Sequence, residues 1–214
     1  TRKLGVNLYK GTRYKVFTEY YRNFTISNSG MHTLGIDFRN YQQIHRTLIF
    51  ASRFAAGTSF GPEKLIHYLG GVDNNVSPKL NTETPISQTE NYTFQTVVTN
   101  MRGFRQNARN GNSFAVLNGE LRFPIFNYLV NRPIRSDFIN SFQIIGFGDL
   151  GTAWNGSSPW SEENVFNNKT ISTPSLEIII NRQTNPIIGG YGFGLRTRVF
   201  GYFIRADWAW GVQN

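Results

Sequence analysis

The chain has 214 residues, no cysteine, three histidines and a net charge of +9. The missing cysteines exclude disulfides, thiolate chemistry and cysteine-ligated metals. The scattered His32, His45 and His67 form no paired metal-ligand motif, reading as surface or loop residues.

Aromatic residues make up 15% of the chain, while the mean hydropathy is only -0.35. Large apolar side chains are therefore abundant but interrupted, and no window reaches the ~18 consecutive apolar residues of a transmembrane helix. The 22 basic residues stand singly rather than in clusters. No phosphate loop or RNA-binding motif accompanies them, so no nucleic-acid partner is expected. "TRKLGV" carries no initiator Met and no signal-peptide pattern, and it reads as the start of a piece or a processed form.

The first predicted strand, "RYKVFTEYYRNF", has aromatic residues on both faces. In "TLGIDFRNYQQI", Leu34, Ile36 and Phe38 oppose Gly35, Asp37, Arg39 and Tyr41. "RTLIFASRFAAG" sets Leu48, Phe50 and Phe54 against Ile49, Ala51 and Arg53. A long connection over 60–113 follows, carrying "MRGF" at Met101, Arg102, Gly103 and Phe104. "SFAVLNGELRFPI" then places Ala115, Leu117, Leu121 and Phe123 opposite Asn118, Glu120 and Arg122. "INSFQIIGFGDLG" puts Ile145, Phe147 and Asp149 opposite Phe142 and Ile144. A second long connection, rich in Asn, Ser, Pro and Gly, covers 152–175, with a possible extra strand at "SLEIIINR". "GFGLRTRV" opposes Phe193, Leu195 and Val199 to Gly194, Arg196 and Arg198. After a tight turn at Phe200–Tyr202, "YFIRADWAW" opposes Tyr202, Ile204, Trp208 and Trp210 to Phe203, Arg205 and Asp207.

Period-two alternation predicts an all-β chain of seven strands. It fits a β-sandwich or barrel whose apolar face is the core, and equally a membrane barrel whose apolar face meets lipid. Trp208 and Trp210 near a strand end suit a membrane girdle, and opposite charges on the other face suit a lumen crossed by ion pairs. These features favour the membrane barrel. Seven strands cannot close it, so further strands are expected elsewhere.

"FRNYQQI", "YLGG" followed by "MRGF", "NGELRFPI", "IIGFGDLGTAW" and "GYGFGLRTRVFGYFIRADWAW" occur in one order along the chain. In that order they resemble the BamA/TamA/FhaC-like family of outer-membrane assembly and translocation barrels, the bacterial surface antigen domain. The resemblance covers about residues 13–211 and implies that 1–214 is the C-terminal portion of a transmembrane antiparallel β-barrel of sixteen strands, about strands 9–15. It implies that 60–113 is an extracellular loop folding into the lumen, where Arg102 meets the acids Glu120 and Asp149. Met101 departs from the β-branched residue of the family's signature. Gly103 would allow close backbone approach and Phe104 would pack on the lumen wall. Asp37, Arg39, Arg53, Arg122, Arg196, Arg205 and Asp207 would extend a luminal ion network.

The implied function is non-enzymatic: helping other outer-membrane or secreted proteins to insert or cross. The alternative is a membrane-anchoring barrel for an attached catalytic or binding domain; a porin is a further rival. Implied partners are outer-membrane lipid and lipopolysaccharide, nascent β-barrel or secreted clients, and accessory lipoproteins. The implied location is the bacterial outer membrane, as a multi-pass barrel. No cofactor and no metal is expected. Glu120 and Asp149 read as structural acids, because nearby arginines would keep both ionised.

Overall fold

The structure is a computed structural model and describes residues 10–22, 29–73, 75–98, 100–130, 132, 134–173, 176–181 and 185–212. In chain order the elements are β1 (Gly11–Tyr21), β2 (Met31–His45), β3 (Leu48–Phe60), β4 (Lys64–Leu69), β5 (Tyr92–Val98), β6 (Arg109–Gly111) and β7 (Ser113–Phe123). There follow α1 (Ile125–Leu129), α2 (Asp137–Ser141), β8 (Gln143–Trp154), β9 (Asn168–Thr173), β10 (Leu176–Asn181), β11 (Ile188–Val199) and β12 (Tyr202–Val212).

The large sheet has seven antiparallel strands in the order β1-β2-β3-β7-β8-β11-β12. Each of the seven alternating segments forms one of them. Register is fixed by side-chain type, because a slip of one residue would turn every charge onto the opposite face. Directly opposed residues share a face, and one row runs Arg13, Arg39, Arg53, Asn118, Asp149 and Gly190 across six strands. Parallel rows hold Asp37, Glu120 with Phe147, Arg122 with Ile145, and Arg196 with Arg205. Every charged residue of the seven strands therefore lies on this one face. The opposite face carries Tyr14, Leu34, Phe38, Phe54, Leu117, Leu121, Phe193, Trp208 and Trp210, all exposed.

Described residues of the insert between β3 and β7 lie against the charged face, among them Leu69, Met101 and Arg102. They carry a small sheet, β5-β4-β6, with β4 parallel to β5 and antiparallel to β6. Leu69, Val98, Met101 and Ala108 of this insert pack with Val116, Ala153 and Ile188 of the sheet to form a buried core. β9 and β10 form a separate antiparallel pair. The β11–β12 hairpin turns on two residues of positive φ, Phe200 (49°) and Gly201 (82°), the backbone of a type I′ turn.

Several expectations need correction. β1 and β12 are the outer strands of the large sheet and do not pair with each other, so the sheet is open. Twelve strands divide into sheets of seven, three and two among the described residues. The fold is all-β, but it is not a sixteen-strand transmembrane barrel, and the multi-pass outer-membrane placement built on that barrel goes with it. The 60–113 connection holds three strands, β4, β5 and β6. In the 152–175 connection, β8 continues to Trp154 and β9 starts at Asn168; residues 174 and 175 lie outside the described residues. The β-sandwich alternative required Leu117, Leu121 and Phe123 to be covered by protein, yet Leu117 is 50% and Leu121 43% exposed.

Candidate functional site

The site is centred on Arg102, which is 4% exposed and is carried onto the charged face by the insert. Its guanidinium donates from Nε to Asp149 Oδ2 at 2.6 Å and from Nη2 to Oδ1 at 2.7 Å. Its main-chain N–H donates to the same Oδ2 at 3.1 Å. Nη1 donates to Glu120 Oε1 at 2.7 Å. The flat group also lies 3.7 Å from the centroid of the Phe147 ring, close enough for a cation–π contact.

Both acids are supplied by adjacent strands, Glu120 by β7 and Asp149 by β8, and each is filled by donors. Asp149 Oδ1 accepts a further bond from Asn118 Nδ2 at 2.8 Å. Glu120 accepts from Arg122 Nε and Nη2 at 2.9 and 2.7 Å, and from Arg196 Nη2 and Nη1 at 2.9 and 3.2 Å. Burial alone would raise the Glu120 carboxyl, but Arg196, Arg122 and Arg102 outweigh it and hold the group far below the usual carboxylate range. Three guanidiniums thus share two carboxylates. Charged bonds of this density fix geometry firmly once the groups are buried.

Glycines let the insert seat itself. Gly103 has φ +90°, and a Cβ there would stand 2.6 Å from the main-chain carbon of Trp210. A Cβ on Gly190 would stand 2.0 Å from the carbonyl oxygen of Arg102. The Phe104 ring lies over Gly211, where a Cβ would meet it at 2.7 Å. Met101 is fully buried in the core below, with its sulfur 3.0 Å from where a Gly151 Cβ would sit.

The remaining charged residues fall into separate groups. Asp37 accepts from Arg39 Nε and Nη2 at 2.8 and 2.9 Å and from Arg53 Nε and Nη2 at 3.1 and 2.8 Å. The Arg39 hydrogen bond leads in holding its carboxyl well below the usual range, against the opposing effect of burial and with Arg53 adding to it. Arg205 reaches Asp207 at 3.5 Å and donates to the Asp73 carbonyl at 2.7 Å. Burial pushes the Asp207 carboxyl up, partly countered by Arg196, Arg205 and Arg102. Trp208 and Trp210 stand on the opposite, exposed face against the Phe193 ring. Their girdle role depended on the barrel and falls with it.

One histidine departs from its expected place: His67 is not a surface or loop residue. It lies in β4, 6% exposed, with its ring against Phe114. Burial lowers its pKa to about 4. Its position inside "KLIHYL" between apolar neighbours was the available signal. Among the described residues no three His, Asp or Glu side chains gather closely enough to hold a metal ion.

No family model, curated protein or solved structure matches the chain. With the sheet open and no family match, the resemblance to outer-membrane assembly barrels is corrected. So are the roles that followed from it: insertion or translocation of other proteins, anchoring of an attached domain, and partnership with outer-membrane lipid, lipopolysaccharide, client proteins and accessory lipoproteins. The motifs that suggested the family are short, and each records a local requirement of the sheet: alternation, a glycine under a crossing backbone, an acid opposite an arginine.

Proposed function

We propose that the chain works by association rather than by catalysis, docking through the uncharged face of its seven-stranded sheet onto a second copy of itself. The observation that carries this reading is the complete segregation of charge. All charged residues of the seven strands stand on the face that carries the insert, while the other face is uncharged and mainly aromatic and aliphatic.

Exposed apolar patches beyond a few hundred Å² mark interaction surfaces. Seven strands spaced ~4.8 Å apart, each about eleven residues long at ~3.3 Å per residue, give a face on the order of 1,000 Å². That exceeds the roughly 800 Å² per partner of a standard stable interface. Self-association needs no complementary charge on such a face, and a twofold arrangement lets one patch serve both partners.

The acids at the Arg102 site support a non-catalytic reading, since all four carboxylate oxygens accept bonds from arginines. An acid so occupied has no free lone pair positioned to take a substrate proton.

The test is the mass of the 214-residue chain in solution by light scattering, with acrylamide quenching of tryptophan. Twice the chain mass, with Trp208 and Trp210 shielded as concentration rises, is expected. Phe54→Lys combined with Leu121→Lys should return the monomer while far-UV circular dichroism stays unchanged. A monomer at every concentration, alone or taken up singly by a detergent micelle or lipid vesicle, would overturn the proposal.

A further inference from the structure

A second site lies between the insert and the sheet, away from Arg102. A cavity of about 250 Å³ is lined by Phe17 of β1, Asp37 of β2, Arg53 of β3, Leu65 and His67 of β4 and Phe114 of β7, among others. Most of the lining side chains are apolar. Its two nitrogen-bearing groups are incompletely partnered among the described residues: both ring nitrogens of His67 and Nη1 of Arg53 are buried without a hydrogen bond. Leaving buried donors unpaired is costly, and an apolar cavity edged by a few convergent polar groups is the usual form of a small-ligand site.

The local charge selects the ligand. Asp37, which itself lines the cavity, is shared by Arg53 and by Arg39 outside it, so the ion group at the cavity's edge carries one positive charge in excess. An additional cation is disfavoured there. A heavily hydrated multivalent anion is disfavoured by the apolar lining. A carboxylate answers both conditions, because its two oxygens match a guanidinium N–H and a neutral imidazole N–H. The volume lies below the ~300 Å³ at which drug-sized sites begin, so the ligand is small.

We infer that this cavity is a binding site for a small monocarboxylate with an apolar body, held by Arg53 and His67. The site is independent of the docking face, and either reading can fail without the other.

The experiment titrates the isotopically labelled 214-residue chain with hexanoate, hexanol, hexylamine and inorganic phosphate, following side-chain NMR signals of His67 and Arg53. Hexanoate should move both saturably, and hexanol should bind roughly tenfold or more weakly, as loss of a charged hydrogen bond requires. Hexylamine and phosphate should leave both signals unmoved. His67→Phe keeps the ring and removes the nitrogens; it should weaken hexanoate roughly tenfold with the remaining spectrum unchanged. Arg53→Gln should erase the preference for hexanoate over hexanol. Equal binding of hexanol, displacement of the same signals by phosphate, or shifts confined to Phe54 and Leu121 on the exposed face would each overturn the inference.

Discussion

Arg102 and Asp149 are joined three times over: two guanidinium nitrogens and the Arg102 main-chain N–H all donate to one carboxylate. The backbone bond matters as much as the side-chain pair, because it ties the position of the loop, and not only of the arginine tip, to strand β8. Arg102→Ala should therefore leave Asp149 buried without its counterion and destabilise the chain by about 3–5 kcal/mol. Chemical denaturation measures the loss, and limited proteolysis within 61–112 should accelerate with it. Arg102→Lys should recover only part, since an ammonium cannot make the forked contact. Unchanged stability and unchanged cleavage in Arg102→Ala would refute the pinning role.

The glycines under the insert make a separate test of fit. At Gly190 an added methyl would strike the Arg102 carbonyl, and backbone cannot step aside cheaply. Gly190→Ala should cost about 1–3 kcal/mol, as overpacking does. Gly146 and Gly148 lie on the exposed face of β8, and a Cβ at either would meet nothing within 4 Å. Alanine there should be neutral or stabilising, because it restricts the unfolded chain. Equal effects at the three positions would contradict this seating of the insert.

His67 sets a pH dependence. Its folded pKa of about 4 lies below its ordinary value of 6.5, so the unfolded chain takes up the proton first as pH falls. The stability from its neutral burial is complete above pH ~6.5 and is lost between ~6.5 and ~4, by up to about 3 kcal/mol. Denaturation midpoints across that interval should slope in the native chain and flatten in His67→Phe. A slope that survives the substitution would assign it to other groups.

Glu120 acts lower on the scale. Its carboxyl is held below the ordinary range, so its contribution is present above the unfolded value near ~4.3 and fades as pH falls toward the folded one. Acid unfolding should steepen below pH ~4. In Glu120→Gln that steepening should shrink, on a chain already weakened at neutral pH because Arg122 and Arg196 lose their acceptor.

The hairpin tip offers a stabilising change. Phe200 sits at φ +49°, a region that costs a side chain with a Cβ roughly 1–2 kcal/mol, and its ring is almost wholly exposed. Phe200→Asn supplies the residue favoured in this turn. It should raise the denaturation midpoint; a lowered midpoint would mean that the Phe200 ring stabilises the folded chain by more than the turn strain costs.

Five of the seven long strands were legible because charged and apolar residues alternate, as in β2 and β7, while β1 and β8 showed it less regularly. The destination of each face was not. Alternation says which side chains stand together, and it is silent on whether Leu117 and Phe54 meet core, solvent or a partner. β4, β5 and β6 carried no usable period: they are short, and β4 holds its shape by lying between β5 and β6 on the sheet. α1 and α2, five residues each, are too brief for a helical repeat to register. The meeting of Arg102 with Glu120 and Asp149 could not be read from spacing, since the three are brought together only when the insert folds back across strands that follow it.

That excursion shapes how the chain reaches its fold. β3 and β7 are neighbours in the sheet, yet everything from 61 to 112 is threaded between them. The hairpins β2–β3 and β11–β12 can zip locally within microseconds, whereas the β3–β7 seam must wait for a distant closure that pays its entropy in advance. Until that seam forms, the sheet exists as two unjoined halves, and Asp149 and Glu120 hold Arg102 to the later one. The arginine latch thus assigns the insert to one half of the sheet: its acceptors are on β7 and β8, so it can shut whether or not β3 has joined them.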